Sequence, residues 1–157
     1  MIAGILFYLA LFSFLGGNTV VWLEIMKELQ EAFADVAPHV IVGALEPADY
    51  ANDGVVFLIR DGESISPLKS LHEDMQGTVN LLIENWVRDD TTDIYNGYGK
   101  LAEQEDKMIE SLKSWLVNRN TDNFSILSCN VGEIISDGDA KRPLVGSRMS
   151  LDIIYSE

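Results

Sequence analysis

The stretch GTVNLLIENWV, residues 77–87, is the longest strand candidate in the chain. Its side chains alternate between a mainly polar side and an apolar side, the latter formed by Val79, Leu81, Ile83 and Val87. Alternation with a period of two is typical of a strand that buries one face. The stretch therefore predicts a sheet whose apolar face needs a covering layer.

A long amphipathic helix is predicted downstream, over about residues 98–117. Its apolar stripe recurs at helical spacing and consists of Leu101, Met108, Leu112 and Trp115. Such a stripe is the face that a helix buries against a sheet. The polar residues 88–97 between strand and helix predict a loop and a helix lead-in.

The segments upstream alternate between helix and strand patterns. Apolar residues at three- and four-residue steps predict a helix over residues 21–33, which Pro38 ends. The apolar runs at residues 40–43 and 55–60 predict two short strands. The Asp-Gly pair at positions 61–62 predicts a turn directly after the second of them.

A closing hairpin is predicted at the end of the chain. Residues 124–135 and 148–155 are its two strands, and the polar stretch 136–147 is its loop. Together these elements predict a single α+β domain over residues 20–157, with a mixed or antiparallel sheet packed by the long helix. An N-terminal helix precedes the sheet and the C-terminal hairpin completes it.

Composition narrows the function classes. The chain has 157 residues, with 25 acidic against 11 basic side chains, for a formal net charge of −14. This charge argues against nucleic-acid binding, although an acidic surface allows nucleic acid to move past without being bound.

A single cysteine, Cys129, excludes an internal disulfide and any multi-cysteine metal site. We expect Cys129 to be a small core residue.

Residues 1–19 form an apolar N-terminal segment that allows three interpretations. No charged side chain occurs before Glu24, and residues 2–15 have the length of a signal-peptide core. The segment is then a secretory signal or membrane anchor, or a helix that packs on the domain or a partner. The third interpretation, which we favour, is that it is not part of the natural product. Translation would then start at Val20 or Val21.

No catalytic, cofactor or metal signature is found in the sequence. Asp89, Asp90 and Asp93 lack the spacing of a calcium loop, so a solvated acidic loop is the favoured interpretation. The run at residues 72–74, His-Glu-Asp, has no second histidine at helical spacing. The serines lack a nucleophile-elbow context. We therefore expect a protein that is not an enzyme and acts through its surface.

The order of these elements resembles that of phage tail terminator and tail-completion proteins, the minor tail protein U type among them. The resemblance is one of pattern and covers most of residues 20–157. The segments that carry it are WLEIMKEL (residues 22–29), GVVFLIR (54–60), VNLLIENW (79–86), NGYGKL (96–101) and SRMSLDIIY (147–155). The apolar segment 1–19 departs from the family pattern.

The resemblance implies a structural virion protein of a tailed phage or prophage. Such a protein caps the tail tube and joins it to the head connector through a ring-shaped homo-oligomer, typically a hexamer. The implied partners are other copies of the chain, the tail-tube protein and the connector, with DNA passing through without specific binding. The implied location is the tail or neck of the virion, after assembly in the host cytoplasm.

Two alternatives from the residues stay open beside this one. A membrane-tethered or secreted bacterial α+β binding domain is favoured if residues 1–19 are expressed, and no membrane contact is expected otherwise. No arrangement of catalytic residues in the sequence supports the second alternative, a small hydrolase. The expected interface lies in and beside the hairpin loop, where Lys141 and Arg142 form the only basic pair in a predicted loop. The candidate interface residues are Asp137, Asp139, Lys141, Arg142, Leu144 and Arg148.

Overall fold

A computed structural model describes residues 20–50, 52–66, 75–119 and 123–157, which form two helices on a five-stranded sheet. The helices are α1 (Val21–Ala32) and α2 (Ile94–Asn118). The strands are β1 (His39–Val42), β2 (Val55–Ile65), β3 (Gln76–Arg88), β4 (Ser125–Ser136) and β5 (Leu144–Ser156). The predicted α+β class is confirmed. The apolar segment 1–19 and the run at 72–74 lie outside the described residues.

The sheet is mixed, with strand order β1-β2-β3-β5-β4. Strand β1 runs parallel to β2, and the β2–β3, β3–β5 and β5–β4 pairs are antiparallel. The predicted C-terminal hairpin is therefore present as β4 and β5, with β5 in the interior of the sheet. The outer strands are β1, with four residues, and β4, with twelve.

The main core lies between the two helices and one face of the sheet, here called the helix face. The predicted apolar sides of β3 and α2 meet there, because alternate strand residues and the helical stripe point to the same layer. Apolar burial of this kind is the main driving force of folding. Fully buried members of this core include Ile25, Leu29, Leu81, Ile83, Met108, Leu151 and Ile153.

A second apolar cluster occupies the opposite face of the sheet, here called the open face. It joins Val55, Phe57, Trp86 and Leu144. Tyr50, from the segment between β1 and β2, packs edge-to-face on Phe57 with ring centroids 6.3 Å apart. Both faces of the sheet are thus buried where β2 begins, and only one face is buried farther along.

The turn predicted at Asp61-Gly62 is wrong. Strand β2 continues through both residues to Ile65, and a bulge between Arg60 and Gly62 absorbs the irregularity. Pairing with β3 on both sides of the bulge outweighs the local turn preference, because each paired residue adds ladder hydrogen bonds.

Two further boundaries differ from the prediction. Helix α2 begins at Ile94, because the side chain of Asp93 accepts a hydrogen bond from the Tyr95 amide and caps the helix four residues earlier. Strand β5 begins at Leu144, which shortens the hairpin loop to residues 137–143.

Within the described ranges, no helix is long and apolar enough to cross a membrane.

Candidate interaction surface

Asp137 closes the hairpin loop. Its amide donates to the Gly146 carbonyl at 2.9 Å, and its Oδ1 accepts from the amides of Gly146 at 3.3 Å and Asp139 at 3.2 Å. An aspartate that bonds the backbone two residues on is a common turn device. The first residue of the loop therefore stabilises its conformation.

Asp139 ties the loop to the start of α2. It adopts a left-handed backbone conformation, φ 61°, which aspartate tolerates better than most residues. The Tyr98 hydroxyl donates to Asp139 Oδ2 at 2.6 Å, and Arg142 Nη2 lies 3.3 Å from Oδ1. The hydrogen bond to Asp139, followed by burial, raises the pKa of Tyr98. The loop tip is thus held against the helix.

Arg142 faces inward toward Asp89 at the end of β3. The Asp89 side chain is fully buried and accepts hydrogen bonds from Thr91 Oγ1 at 2.8 Å and Asn96 Nδ2 at 2.8 Å. Lys100 Nζ lies 3.4 Å and Arg142 Nη1 3.8 Å from its carboxylate. Burial raises the pKa of Asp89, but the hydrogen bonds outweigh burial and leave it below its usual value.

We expect Asp89→Asn to remove part of the chain's sensitivity to acid. Because the pKa of Asp89 is lower in the folded chain than its ordinary value of about 3.9, its contribution to stability is complete above that value. The contribution is lost as the pH falls through the lowered folded pKa. The variant should be less stable at neutral pH and lose less stability on acidification. Denaturant unfolding across pH measures both effects.

The exposed Asp61 provides the control for this prediction. Asp61→Asn removes the same charge from β2, outside the Asp89 network. It should unfold like the wild type at neutral pH and keep the wild-type acid dependence. An Asp89→Asn profile parallel to that of the wild type would contradict the role given to Asp89.

Lys141 and Arg148 line a groove of about 390 Å³ on the open face. Lys141 Nζ lies 3.7 Å from Glu46 and 5.4 Å from the centre of the Trp86 ring. Arg148 Nε donates to Glu84 Oε1 at 2.9 Å. About half of each cationic side chain remains exposed, so both cations stay accessible to a partner.

The structure thus brings five of the six candidate residues into one region but gives them different surroundings. Asp137 and Asp139 shape the loop, Arg142 faces Asp89, and Lys141 and Arg148 line the groove. Leu144 is buried beneath them in the open-face cluster. Among the six candidates, Lys141 and Arg148 are therefore the most accessible charges, and the exposed Glu46 lines the same groove.

The sequence did not predict that the three aspartates of the acidic loop have structural roles. Asp89 is a buried hydrogen-bond acceptor, Asp93 is a helix cap and Asp90 pairs with Arg88 at 3.0 Å. An Asp placed just before a helical stripe is a recognisable capping signal. Thr91 is a local donor to Asp89, but the burial of Asp89 has no such signal, because the other groups around its carboxylate come from α2 and the hairpin loop.

The outer strand β4 is a second candidate surface. It carries one charged residue, Glu133, in twelve positions. Four of its apolar side chains are between 42% and 54% exposed, namely Leu127, Val131, Ile134 and Ile135. Edge strands of isolated proteins are usually protected by charges. A long apolar edge of this kind is typical of a surface that another chain covers.

The described residues contain no group of three or more side chains suited to a metal ion. Cys129 is half-buried on β4 beside the main core, and burial raises its pKa to about 11. A thiol with so high a pKa is a weak nucleophile at neutral pH.

No protein-family model matches the chain, and no curated protein matches it. Among solved structures, it is similar to a chain of the virion of a native gene transfer agent particle. The identity is 8% and the TM-score 0.48, over 82% of this chain and 84% of that one.

It is also similar to a chain in the sheath/tube terminator structure of an extracellular contractile injection system, PVC, in its extended state. The identity is 13% and the TM-score 0.45, over 91% of this chain and 58% of that one.

Proposed function

We propose that this chain is a structural protein of a phage-like tail, a terminator that caps the tail tube as a ring of identical copies and joins it to the head connector. The observation that carries the proposal is the order of its elements. A helix, a strand pair, a strand that leads through a capped loop into a long helix, and a closing hairpin follow one another. This is the order on which the resemblance to tail terminators rests.

The charge of the chain supports the same role. A formal charge of −14 is unfavourable for gripping nucleic acid and suitable for a channel wall past which DNA slides. The distribution of apolar surface supports association, because β4 exposes apolar side chains with one charge among them. Neither feature requires a catalytic group.

The direct test measures whether the chain stops tube growth. Tail-tube protein from the same gene cluster is polymerised with and without the full chain, and tube lengths and ends are scored by electron microscopy. Density at tube ends and arrested growth support the proposal. Tubes of unchanged length with bare ends would overturn it.

We expect Lys141→Glu to weaken the association of copies or the binding to tube ends by about tenfold, equivalent to about 1.4 kcal/mol. The change reverses an accessible charge beside the acidic Glu46. It therefore alters both the electrostatic steering of the approaching partner and the charge contacts at the rim of the interface. Light scattering over a concentration series and end-binding counts measure the effect.

Lys107→Glu is the matched control, since Lys107 lies on α2 with a similar exposed fraction and a single acidic neighbour, Glu103. Equal behaviour of the two variants would remove Lys141 from the interface. Lys141 is tested alone because Arg142 faces the buried Asp89. Reversing Arg142 would disturb the fold as well as the surface.

A membrane-tethered binding domain is the second candidate, and one observation favours it. Residues 1–23 carry no charged side chain. Flotation of the full chain with phospholipid vesicles tests this alternative. Vesicle binding combined with indifference to tube protein would favour tethering, whereas end-capping without vesicle binding would favour the terminator.

A further inference from the structure

We infer that copies of this chain join by strand pairing, with the β4 edge of one copy against the β1 edge of the next. The inference rests on the proposed ring and names the surface that would build it. Both edges of the sheet then take part in one repeated contact between copies. The partner is therefore a second copy of this chain.

Strand direction favours this contact. Strand β1 runs with β2, and three successive antiparallel pairings carry the sheet from β2 to β4, so β1 and β4 run in opposite directions. A second copy rotated about an axis parallel to the strands keeps its strand directions. Its β1 then lies antiparallel to the first copy's β4. Repeating that rotation gives a head-to-tail contact, which forms a closed ring when the rotation is a whole fraction of a full turn.

The side chains on the two edges also match by face. Cys129 and Val131 lie opposite Ile153 and Leu151 and so belong to the helix face of β4. Val40 and Val42 lie opposite Val56 and Leu58 and belong to the same face of β1. Paired residues of adjacent strands share a face. Of the registers that keep these faces together, we choose the one with Cys129 opposite Val42 and Val131 opposite Val40, because it covers both exposed valines.

Two bulges in β4 select the part of the strand that can pair. They lie between Ile126 and Ser128 and between Val131 and Ile134, and leave residues 128–131 regular. This regular stretch has four residues, the same length as β1. Residues 129–131 of this stretch pair with residues 40–42, so the exposed Val42 is covered by Cys129 and the exposed Val131 by Val40. The bulges prevent the full twelve-residue edge from joining an unrelated strand.

Charge makes these edges the favourable meeting place for two acidic copies. Chains with a formal charge of −14 repel each other over most of their surfaces. Residues 39–42 and 128–131 carry no acidic side chain. Gln30 Nε2 donates a hydrogen bond to the Val40 carbonyl at 2.9 Å. Because a carbonyl oxygen has two lone pairs, it can accept a second hydrogen bond from a partner strand.

Disulfide trapping tests the register directly, because Cys129 is the only cysteine in the chain. Val42→Cys in the full chain places a second thiol on the opposite edge of the sheet. Four strand spacings of about 4.8 Å separate the two within one copy, too far for an internal disulfide. Mild oxidation in the presence of tube protein should give a ladder of linked copies on a non-reducing gel.

Two controls make the ladder specific. The wild type, which has one thiol per copy, should give no linked dimer, since two Cys129 residues do not meet in this register. Val117→Cys introduces the same residue at an 82% exposed site on α2 and should also give none. A Cys129–Cys129 dimer of the wild type would show β4 meeting β4 and overturn the inference.

A second pair of variants tests the contact without cysteine chemistry. Val131→Lys puts an ammonium group into the paired edge and should weaken association at least tenfold, because that group loses water on pairing. Val117→Lys adds the same charge on α2 and should leave association unchanged. Equal association of the two lysine variants would overturn the inference.

The inference and the proposed function fail in different ways. Rings at tube ends without a disulfide ladder of the Val42→Cys variant would overturn the edge contact and leave the terminator role standing. Copies that neither associate nor cap tubes would overturn both. A ladder in copies that ignore tube protein would support the edge contact and argue against the terminator.

Discussion

Glu28→Ala should lower the free energy of unfolding by about 3 kcal/mol. Glu28 Oε2 accepts from Arg119 Nε at 2.7 Å and from Trp115 Nε1 at 2.8 Å. Arg119 also donates to the Phe124 carbonyl at 3.0 Å and lies 3.9 Å from the centre of the Phe124 ring. One carboxylate therefore joins α1, the end of α2 and the start of β4.

The large effect follows from burial. The side chain of Arg119 is 8% exposed and that of Glu28 is 19% exposed. Removing the carboxylate leaves a guanidinium charge and an indole N–H without their acceptor in a largely dry site. Glu28→Gln should cost less, because its amide oxygen still accepts from Trp115. Chemical denaturation at neutral pH measures the series.

Lys113→Ala is the control for this prediction. It breaks the Lys113–Glu110 pair of 2.7 Å, whose members are both mostly exposed. Exposed pairs contribute little, so the change should stay within about 0.5 kcal/mol. If Glu28→Ala were as mild as Lys113→Ala, the carboxylate would not hold the three elements together.

Gly146→Ala should cost about 2 to 3 kcal/mol through overpacking. A methyl group at position 146 would lie 2.3 Å from the Trp86 ring. The two residues are directly opposite on β5 and β3. Trp86 is itself held by a hydrogen bond from Nε1 to Glu84 Oε2 at 3.2 Å. The ring therefore has to leave its place, and the open-face cluster loses its packing.

A double-mutant cycle identifies the cause. In the Trp86→Leu background the smaller side chain leaves room for the methyl group, so Gly146→Ala should cost less than in the wild type. Gly99→Ala makes the same substitution in α2, where nothing lies within 4 Å of the added carbon. It should stabilise by up to about 1 kcal/mol through helix propensity. An equal cost of Gly146→Ala in both backgrounds would exclude the ring contact.

The candidate surface could be predicted only in part. The hairpin loop was visible as a polar stretch between two apolar alternations, and its basic pair stood out in an acidic chain. The different orientations of Lys141 and Arg142 were not visible. They depend on Trp86, which lies on β3, and on Asp89, which directly follows β3. Both are far from the loop in sequence.

The sequence by itself determined the fold class and the element order. Alternation in β3 and β5 and the helical stripe of α2 are local patterns, and each buries its apolar side wherever the neighbours come from. Tertiary structure alone decided the parallel pairing of β1 with β2, the continuation of β2 through Asp61-Gly62 and the burial of Asp89. These features depend on partners distant in sequence, whose hydrogen bonds and packing outweigh local preference.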